Sequence, residues 1–151
     1  MIMDRISRIF ATFFYLGFLP VAPGSIATIL GIFISFALMG NTGVYVAATV
    51  VITVLGFALS GRAEKVIGKK DPGCIVIDEV AGVMIAFFML PTTLPVFWTG
   101  FFLFRAFDMF KIYPGNKFEG LPGSAGIMMD DIVAGLYTNV VMHLALRWAG
   151  I

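Results

Sequence analysis

Charged residues are scarce in this sequence: they make up 13% of its 151 residues, and the formal net charge is only +1. Without a concentrated basic surface, the chain lacks the footprint of a protein that binds nucleic acid. Cysteine occurs once, as Cys74, which excludes a disulfide framework or a thiolate zinc site within one chain. No arginine stands six positions after Cys74, so the thiolate loop of cysteine phosphatases is excluded as well.

Apolar residues dominate the composition instead. They make up 60% of the chain, and the mean hydropathy is +0.99, far above that of an ordinary soluble domain. Three long stretches carry no charged side chain: residues 9–61, 80–104 and 132–146. A helix that crosses a bilayer needs about 20 mainly apolar residues, so this pattern predicts a membrane protein.

Breaks in the apolar pattern divide the chain into about five spans. Pro20, Pro23 and Gly24 interrupt any helix, and Ser25 is placed to cap the next one. The expected spans are residues 25–40, 43–60, 75–91, 96–112 and 131–149. The sequence therefore predicts an all-α polytopic membrane helix bundle, folded as a single domain over residues 1–151.

The N-terminal residues are expected to form an amphipathic helix that lies along the membrane interface before the first span. Arg5 and Arg8 before an apolar stretch also suit a signal peptide, but no Ala-x-Ala-like site follows them. Basic residues cluster before span one, between spans two and three, and between spans four and five. The positive-inside rule places these segments and the N-terminus in the cytoplasm. The single Arg147 near the C-terminus weakly disagrees with this orientation.

Carboxylates collect in the second half of the chain. Seven of the nine acidic residues lie between Asp71 and Asp131. Five of them stand at predicted helix ends that the topology brings to one membrane face: Asp78, Glu79, Asp108, Asp130 and Asp131. Each carboxylate at the centre of a lipid-facing helix costs about 2.5 to 3.5 kcal/mol, so these must face water, each other or a cation. A hard divalent ion with oxygen ligands, above all Mg²⁺, would hold such a group together.

Basic and hydroxyl side chains are expected on the same face. Arg105, Asp108 and Lys111 recur at a spacing of three and so share one side of a helix. Arg105 and Lys111 can bind phosphate oxygens, and the turn that contains Ser25 and Thr28 offers free backbone N–H groups to an anion. Together these groups predict a site for a phosphate ester.

Less specific interpretations apply to each group alone. Asp130 and Asp131 can simply cap the fifth helix, Asp78 and Glu79 can be solvated interface charges, and the spaced charges can form plain salt bridges. His143, deep in the last span among apolar neighbours, is expected to pack rather than react. It is the convergence of three such groups on one face that favours a functional site.

Four segments in order resemble the signature segments of the phosphatidylglycerophosphatase A family: "PVAPGSIAT", "IVIDEVAG", "FRAFDMFKIYP" and "GSAGIMMDDIVAG". The resemblance covers roughly residues 17–140. Asp78 and Glu79 match the family's acidic pair. The third segment matches through Arg105, Asp108, Lys111 and Pro114, and the closing segment through Gly126, Asp130, Asp131 and Gly135. The first segment departs from the family pattern by having Ala27 where a glycine is common.

The resemblance implies a Mg²⁺-dependent lipid phosphatase of the bacterial cytoplasmic (inner) membrane, with its active site on the cytoplasmic face. Its substrate would be phosphatidylglycerophosphate, and its products phosphatidylglycerol and inorganic phosphate, in phospholipid biosynthesis. Metal binding is expected from Asp78, Glu79, Asp108, Asp130 and Asp131. Catalysis is expected from Asp130, Asp131, Arg105 and Lys111, and phosphate binding from Arg105, Lys111, Ser25 and Thr28. A carboxylate not used for metal would act as general base or attack phosphorus directly.

Rival functions are a small membrane ion carrier, a phosphatase for another lipid phosphate, a CDP-alcohol phosphotransferase and a catalytically silent subunit. A carrier would more naturally hold its carboxylates at mid-span. The phosphotransferase run Asp-Gly-x-x-Ala-Arg is absent from the sequence. A catalytically silent subunit predicts that Asp131→Asn leaves all measurable activity unchanged.

Overall fold

The computed structural model describes residues 1–150, and over that range it consists of helices and turns without strands, which confirms the all-α prediction. The helices are α1 (Ile2–Ala11), α2 (Pro23–Leu38), α3 (Thr42–Ile67), α4 (Ile77–Ala86), α5 (Leu94–Phe110), α6 (Gly115–Phe118) and α7 (Ser124–Trp148), with a 3-10 turn at Leu16–Phe18.

The N-terminal helix α1 is amphipathic, as predicted. Ser7 and Ala11 are buried on its inner side, while Arg5 and Arg8 are exposed. The carbonyl of Ala11 accepts a hydrogen bond from the backbone N–H of Val76 at 3.0 Å, and Arg62 of α3 pairs with Asp4 at 2.9 Å. These bonds attach α1 to the bundle; its position at a membrane interface stays a prediction.

Helix α2 begins earlier than predicted. Its N-cap is Ala22, Pro23 occupies the first turn, and Ser25 already lies inside the helix. The proposed capping role of Ser25 is therefore wrong, because proline, with no N–H to satisfy and a fixed φ, suits the first helical position.

Helix α3 is longer than predicted. The side chain of Asn41 caps its start by accepting a hydrogen bond from the N–H of Val44 at 3.1 Å, and Gly68, with φ of 77°, ends it. The stretch after residue 60, predicted as a polar loop, is helical as far as Ile67. Within residues 1–150, α3 is the one helix that is both long enough and apolar enough to cross a membrane.

Helix α4 is much shorter than the predicted span over residues 75–91. It ends at Ala86, and Met89 adopts a left-handed φ of 58° shortly before Pro91. At 10 residues it is about 15 Å long, roughly half the hydrocarbon thickness of a bilayer. Asn139 and His143 of α7 bind carbonyl groups at and beyond its C-terminal end, so side chains from elsewhere in the fold complete this end.

Helix α7 begins seven residues before the predicted start of its span. Gly123 is the N-cap residue, so Asp130 and Asp131 lie about two turns inside the helix. The interpretation of this pair as simple capping residues is wrong for that reason. The predicted fourth span agrees closely with α5, whose C-cap is Lys111 with a left-handed φ of 45°.

The short helix α4 occupies the centre of the bundle, with eight of its residues buried. It runs parallel to α7, because Gly82 contacts Asp131 and Gly135 while Asn139 reaches Ala86 one turn further along. Added Cβ atoms at Gly82 or Gly135 would collide with the facing backbone, so only glycine permits this close approach.

The outer faces of the bundle carry many exposed large apolar side chains. Examples are Phe33, Val50, Val54, Phe102 and Leu144, which come from four different helices. A soluble monomer rarely exposes an apolar surface of this extent, so these faces suit contact with lipid.

Candidate active site

Three helices bring charged side chains together at one end of the bundle. The N-terminal turn of α4 supplies Asp78 and Glu79, and α7 supplies Asp130 and Asp131. The C-terminal part of α5 supplies Arg105 and Asp108, and Lys111 follows directly after that helix. The start of α2 lies against them, since a Cβ atom on Gly24 would collide with the Glu79 carboxylate. The predicted convergence of the charged residues is therefore present in the structure.

Three carboxylates form the closest group. One oxygen each from Asp108, Asp130 and Asp131 lies within 4.8 Å of the others. Asp130 and Asp131 are only 8% and 3% exposed, and the N–H of Asp131 donates to Oδ1 of Asp130 at 3.1 Å. Buried carboxylates at this separation repel one another strongly unless a cation or a proton lies between them.

Asp78 and Glu79 border this group without belonging to it. Asp78 is 6% exposed and lies beside Glu79 and Asp131. Glu79 is oriented instead toward Arg105, whose Nη1 is 3.8 Å from Oε1 of Glu79. The five predicted metal ligands thus separate into a compact group of three and a flanking pair.

Arg105 joins the two acidic groups. Its Nη1 donates to Oδ2 of Asp108 and also lies near Glu79, and the side chain is only 19% exposed. A nearly buried guanidinium between two carboxylates offsets part of their charge and is held in a fixed orientation.

Lys111 closes the other side of the site. Its Nζ lies 3.1 Å from Oδ2 of Asp130 and 2.9 Å from Oε1 of Glu119. Partial burial lowers the pKa of the Lys111 amine, but hydrogen bonds to Glu119 and Asp130 outweigh that effect and raise it above its usual range. The amine therefore stays protonated throughout the physiological pH range.

The hydroxyl groups predicted to bind phosphate lie on α2. Thr28 is fully buried, and its hydroxyl donates to the carbonyl of Gly24 within the same helix at 2.9 Å. Ser25 is only partly buried and adjoins Gly24, which contacts the Glu79 carboxylate. Thr28 is thus engaged in the packing of α2, and phosphate binding by Ser25 or Thr28 stays a prediction.

Two contributors to the site were not predicted from the sequence. Glu119, which binds Lys111, is the C-cap residue of the short helix α6, and no helix was predicted in that part of the sequence. Gly24 was interpreted only as a helix breaker, whereas its missing side chain lets α2 approach Glu79. His143 hydrogen-bonds to the carbonyl of Phe88 away from the carboxylates, as expected for a residue in a packing role.

The donor set fits a hard divalent cation. Among the described residues, Oδ1 of Asp78, Oε2 of Glu79 and Oδ1 of Asp131 are buried and have no hydrogen-bond partner. Buried polar atoms are nearly always satisfied, so three unpaired carboxylate oxygens on neighbouring residues favour a bound cation or a shared proton. Carboxylate oxygens are the donors that Mg²⁺ binds best in proteins.

Comparison with known proteins agrees with this chemistry. The sequence profile of the family described as "Phosphatidylglycerophosphatase A" matches residues 9–146. A protein of Haemophilus influenzae named phosphatidylglycerophosphatase A is 33% identical over 87% of this chain and 83% of its own length. A protein of the same name from Escherichia coli is 31% identical over 84% of this chain and 76% of its own length.

A third relative carries a different name. A protein of Bacteroides thetaiotaomicron, provisionally named phosphatidylinositol-3-phosphatase, is 34% identical over 87% of this chain and 87% of its own length. No solved structure matches this chain.

Proposed function

Because the chain belongs to the phosphatidylglycerophosphatase A family and is a phosphatase, we propose that it hydrolyses phosphatidylglycerophosphate in a Mg²⁺-dependent reaction. The products are phosphatidylglycerol and inorganic phosphate, which makes the reaction a step of phospholipid biosynthesis. The observation that carries the proposal is the group formed by Asp108, Asp130 and Asp131, with oxygens within 4.8 Å of one another.

Asp108, Asp130 and Asp131 hold the cation in this proposal, and the unpaired oxygens of Asp78 and Glu79 complete its surroundings directly or through water. When bound, Mg²⁺ supplies Lewis acidity toward a phosphoryl oxygen and toward a water molecule. Burial keeps bulk water away from the carboxylates and strengthens every charge interaction among them.

Arg105 and Lys111 receive the phosphate of the substrate. Each is held on one side by a carboxylate, Asp108 for Arg105 and Asp130 for Lys111, and both lie at the edge of the group that holds the cation. The two cations offset the charge that spreads over the phosphoryl oxygens in a loose transition state. A carboxylate outside the group of three accepts the proton of the attacking water, which fits Asp78, because its buried Oδ1 has no hydrogen-bond partner.

The same proposal sets the protein in the bacterial cytoplasmic membrane as a multi-pass protein with this site on the cytoplasmic side. Support comes from the apolar helix α3, from the lipid-suited outer faces, and from the lysines at the end of α3. Acyl chains of the substrate then stay in the bilayer while its terminal phosphate meets the carboxylates near the surface. The carboxylates gather at one end of the bundle, which favours this function over an ion carrier, since a carrier would hold them at mid-span.

Phosphate release from phosphatidylglycerophosphate by the purified full chain tests the proposal. We expect release with Mg²⁺, loss of release with chelator, and recovery when Mg²⁺ is restored. Absence of release under every divalent cation would contradict the assignment.

The Bacteroides relative supports a second candidate substrate, phosphatidylinositol 3-phosphate. Its phosphate is also a monoester on an anionic lipid, so the same residues can serve it. Parallel assays with both lipids in mixed micelles decide between the candidates, because a higher kcat/KM identifies the preferred substrate.

A further inference from the structure

The C-terminal end of α4 is held by hydrogen bonds from two side chains of α7, Asn139 and His143. One amide nitrogen, Nδ2 of Asn139, donates to the carbonyl of Ala86 at 3.0 Å and to that of Phe88 at 2.9 Å. Nε2 of His143, one turn further along α7, lies 3.1 Å from the same Phe88 carbonyl. The last carbonyls of a helix have no partner within it, and here a neighbouring helix provides one.

The site carboxylates lie at the opposite end of the same pair of helices. Asp78 of α4 lies beside Asp131 of α7, Gly82 contacts Gly135 between them, and Ala86 bonds with Asn139. From Ala86 back to Asp78 is about 12 Å along a helix axis. Helices α4 and α7 are therefore in contact over the whole distance from these hydrogen bonds to the site.

At its middle, where the two backbones touch, this contact has no large side chain that fixes the axial position. Gly82 and Gly135 offer no side chain that could interlock, and Ala81 and Ala134 are small as well. A shift of α4 by one residue would move Asp78 by about 1.5 Å and rotate it by about 100° around the axis. Mg²⁺ tolerates little of this, because its ligands must sit near 2.0 to 2.1 Å in octahedral geometry.

We infer that Asn139 is a positioning residue, which fixes the register of α4 against α7 and thereby the place of Asp78 relative to Asp131. The inference rests on the proposed function, in which these carboxylates surround a divalent cation. Asn139 acts on the cation through α4 and does not contact the site itself.

The test compares Asn139→Leu with Thr138→Val in the purified full chain. Leucine removes both donors at similar size. Thr138 is a matched control because it is fully buried on the same helix and its hydroxyl donates only to the Ala134 carbonyl of its own helix, at 2.8 Å. Mn²⁺ affinity is measured by electron paramagnetic resonance, and the Mg²⁺ concentration for half-maximal phosphate release is measured in parallel.

We expect Asn139→Leu to weaken Mn²⁺ binding and raise the half-maximal Mg²⁺ concentration by about tenfold, as the loss of two interhelical hydrogen bonds suggests. Thr138→Val should keep both values. If Asn139→Leu lowers the melting temperature but binds Mn²⁺ as the wild type does, Asn139 only stabilises the fold and the inference is wrong.

A second variant covers the case in which Asn139→Leu does not fold. Asn139→Ala also removes both donors but introduces no apolar bulk, and it should weaken Mn²⁺ binding about tenfold as well; unchanged affinity in this variant overturns the inference. A wild-type protein that binds Mn²⁺ but releases no phosphate refutes the proposed function alone. A wild-type protein that releases phosphate, with Mn²⁺ affinity unchanged in the variants, refutes the positioning role alone.

Discussion

At the scale of single residues, Asp131 has the most restricted surroundings in the site. It is 3% exposed, it belongs to the group of three carboxylates, and one of its oxygens has no partner. Asp131→Asn keeps the shape and removes the charge, so we expect phosphate release to fall at least about a hundredfold. Asp4→Asn is the matched control, because Asp4 lies on α1, pairs with Arg62 and the N-terminal amine outside the site, and should leave the rate unchanged.

Residual activity in Asp131→Asn close to that of the wild type would contradict a role for this carboxylate. A circular dichroism spectrum and a melting curve of the variant show whether any loss comes from unfolding instead.

Lys111 is predicted to bind substrate rather than to support the fold. Lys111→Met should raise KM and lower kcat/KM by about tenfold or more, because a charge-assisted hydrogen bond to phosphate is lost. Lys117→Met is the control: Lys117 carries the same charge nearby but stacks over the Tyr113 ring, with Nζ 5.0 Å from its centroid. Equal kinetic constants for both variants would remove Lys111 from the substrate site.

The residues of the site could be predicted from the sequence much better than the neighbouring residues that bind them. Asp78, Asp108 and Asp131 were expected to meet because alternating helices bring their ends to one face, and they do. The bond between Lys111 and Glu119 could not be predicted, since the turn and the four-residue helix α6 between them leave no periodic pattern in the sequence.

At the scale of helices, the close contact of α4 with α7 depends on glycine. Gly82→Ala should destabilise the fold by about 1 to 3 kcal/mol, because its Cβ would collide with the carbonyl of Asp131 and nothing nearby can move aside easily. Gly40→Ala is the control, since no atom lies within 4 Å of the added Cβ. Unfolding in detergent, followed by circular dichroism, compares the two; equal stability would contradict the contact.

Helix ends were the least predictable feature. The apolar run over residues 75–91 suggested a full span, but α4 stops at Ala86 because Asn139 and His143 satisfy its end from another helix. The early start of α7 was hidden by glycines at positions 120, 123 and 126, which indicate a loop when only local propensity is considered. In both cases tertiary contacts outweigh local preference.

At the scale of the whole molecule, the predicted orientation of the protein in the membrane can be tested by cysteine labelling. Single cysteines placed at Lys69 and at Thr92 in a Cys74→Ser background should react with a membrane-impermeant maleimide from opposite sides. Both positions are exposed, and they lie at opposite ends of the bundle. We expect the position 69 reporter to react only in inside-out vesicles and the position 92 reporter only in intact cells lacking an outer membrane.

Reaction of both reporters from one side would contradict the multi-pass arrangement and the cytoplasmic site together. The unmodified Cys74→Ser protein serves as the labelling control.

The brevity of α4 has a consequence for how the chain is assembled. A helix of 10 residues is too short to insert in a bilayer as an independent span. One of the helices that bury α4 is α7, which follows it in the chain. In the proposed membrane arrangement, α4 would therefore wait at the bilayer surface until the C-terminal helix has entered. Chains released before α7 is complete would carry an undocked segment that quality-control proteases can recognise, and the phosphatase would mature only after its last helix arrives.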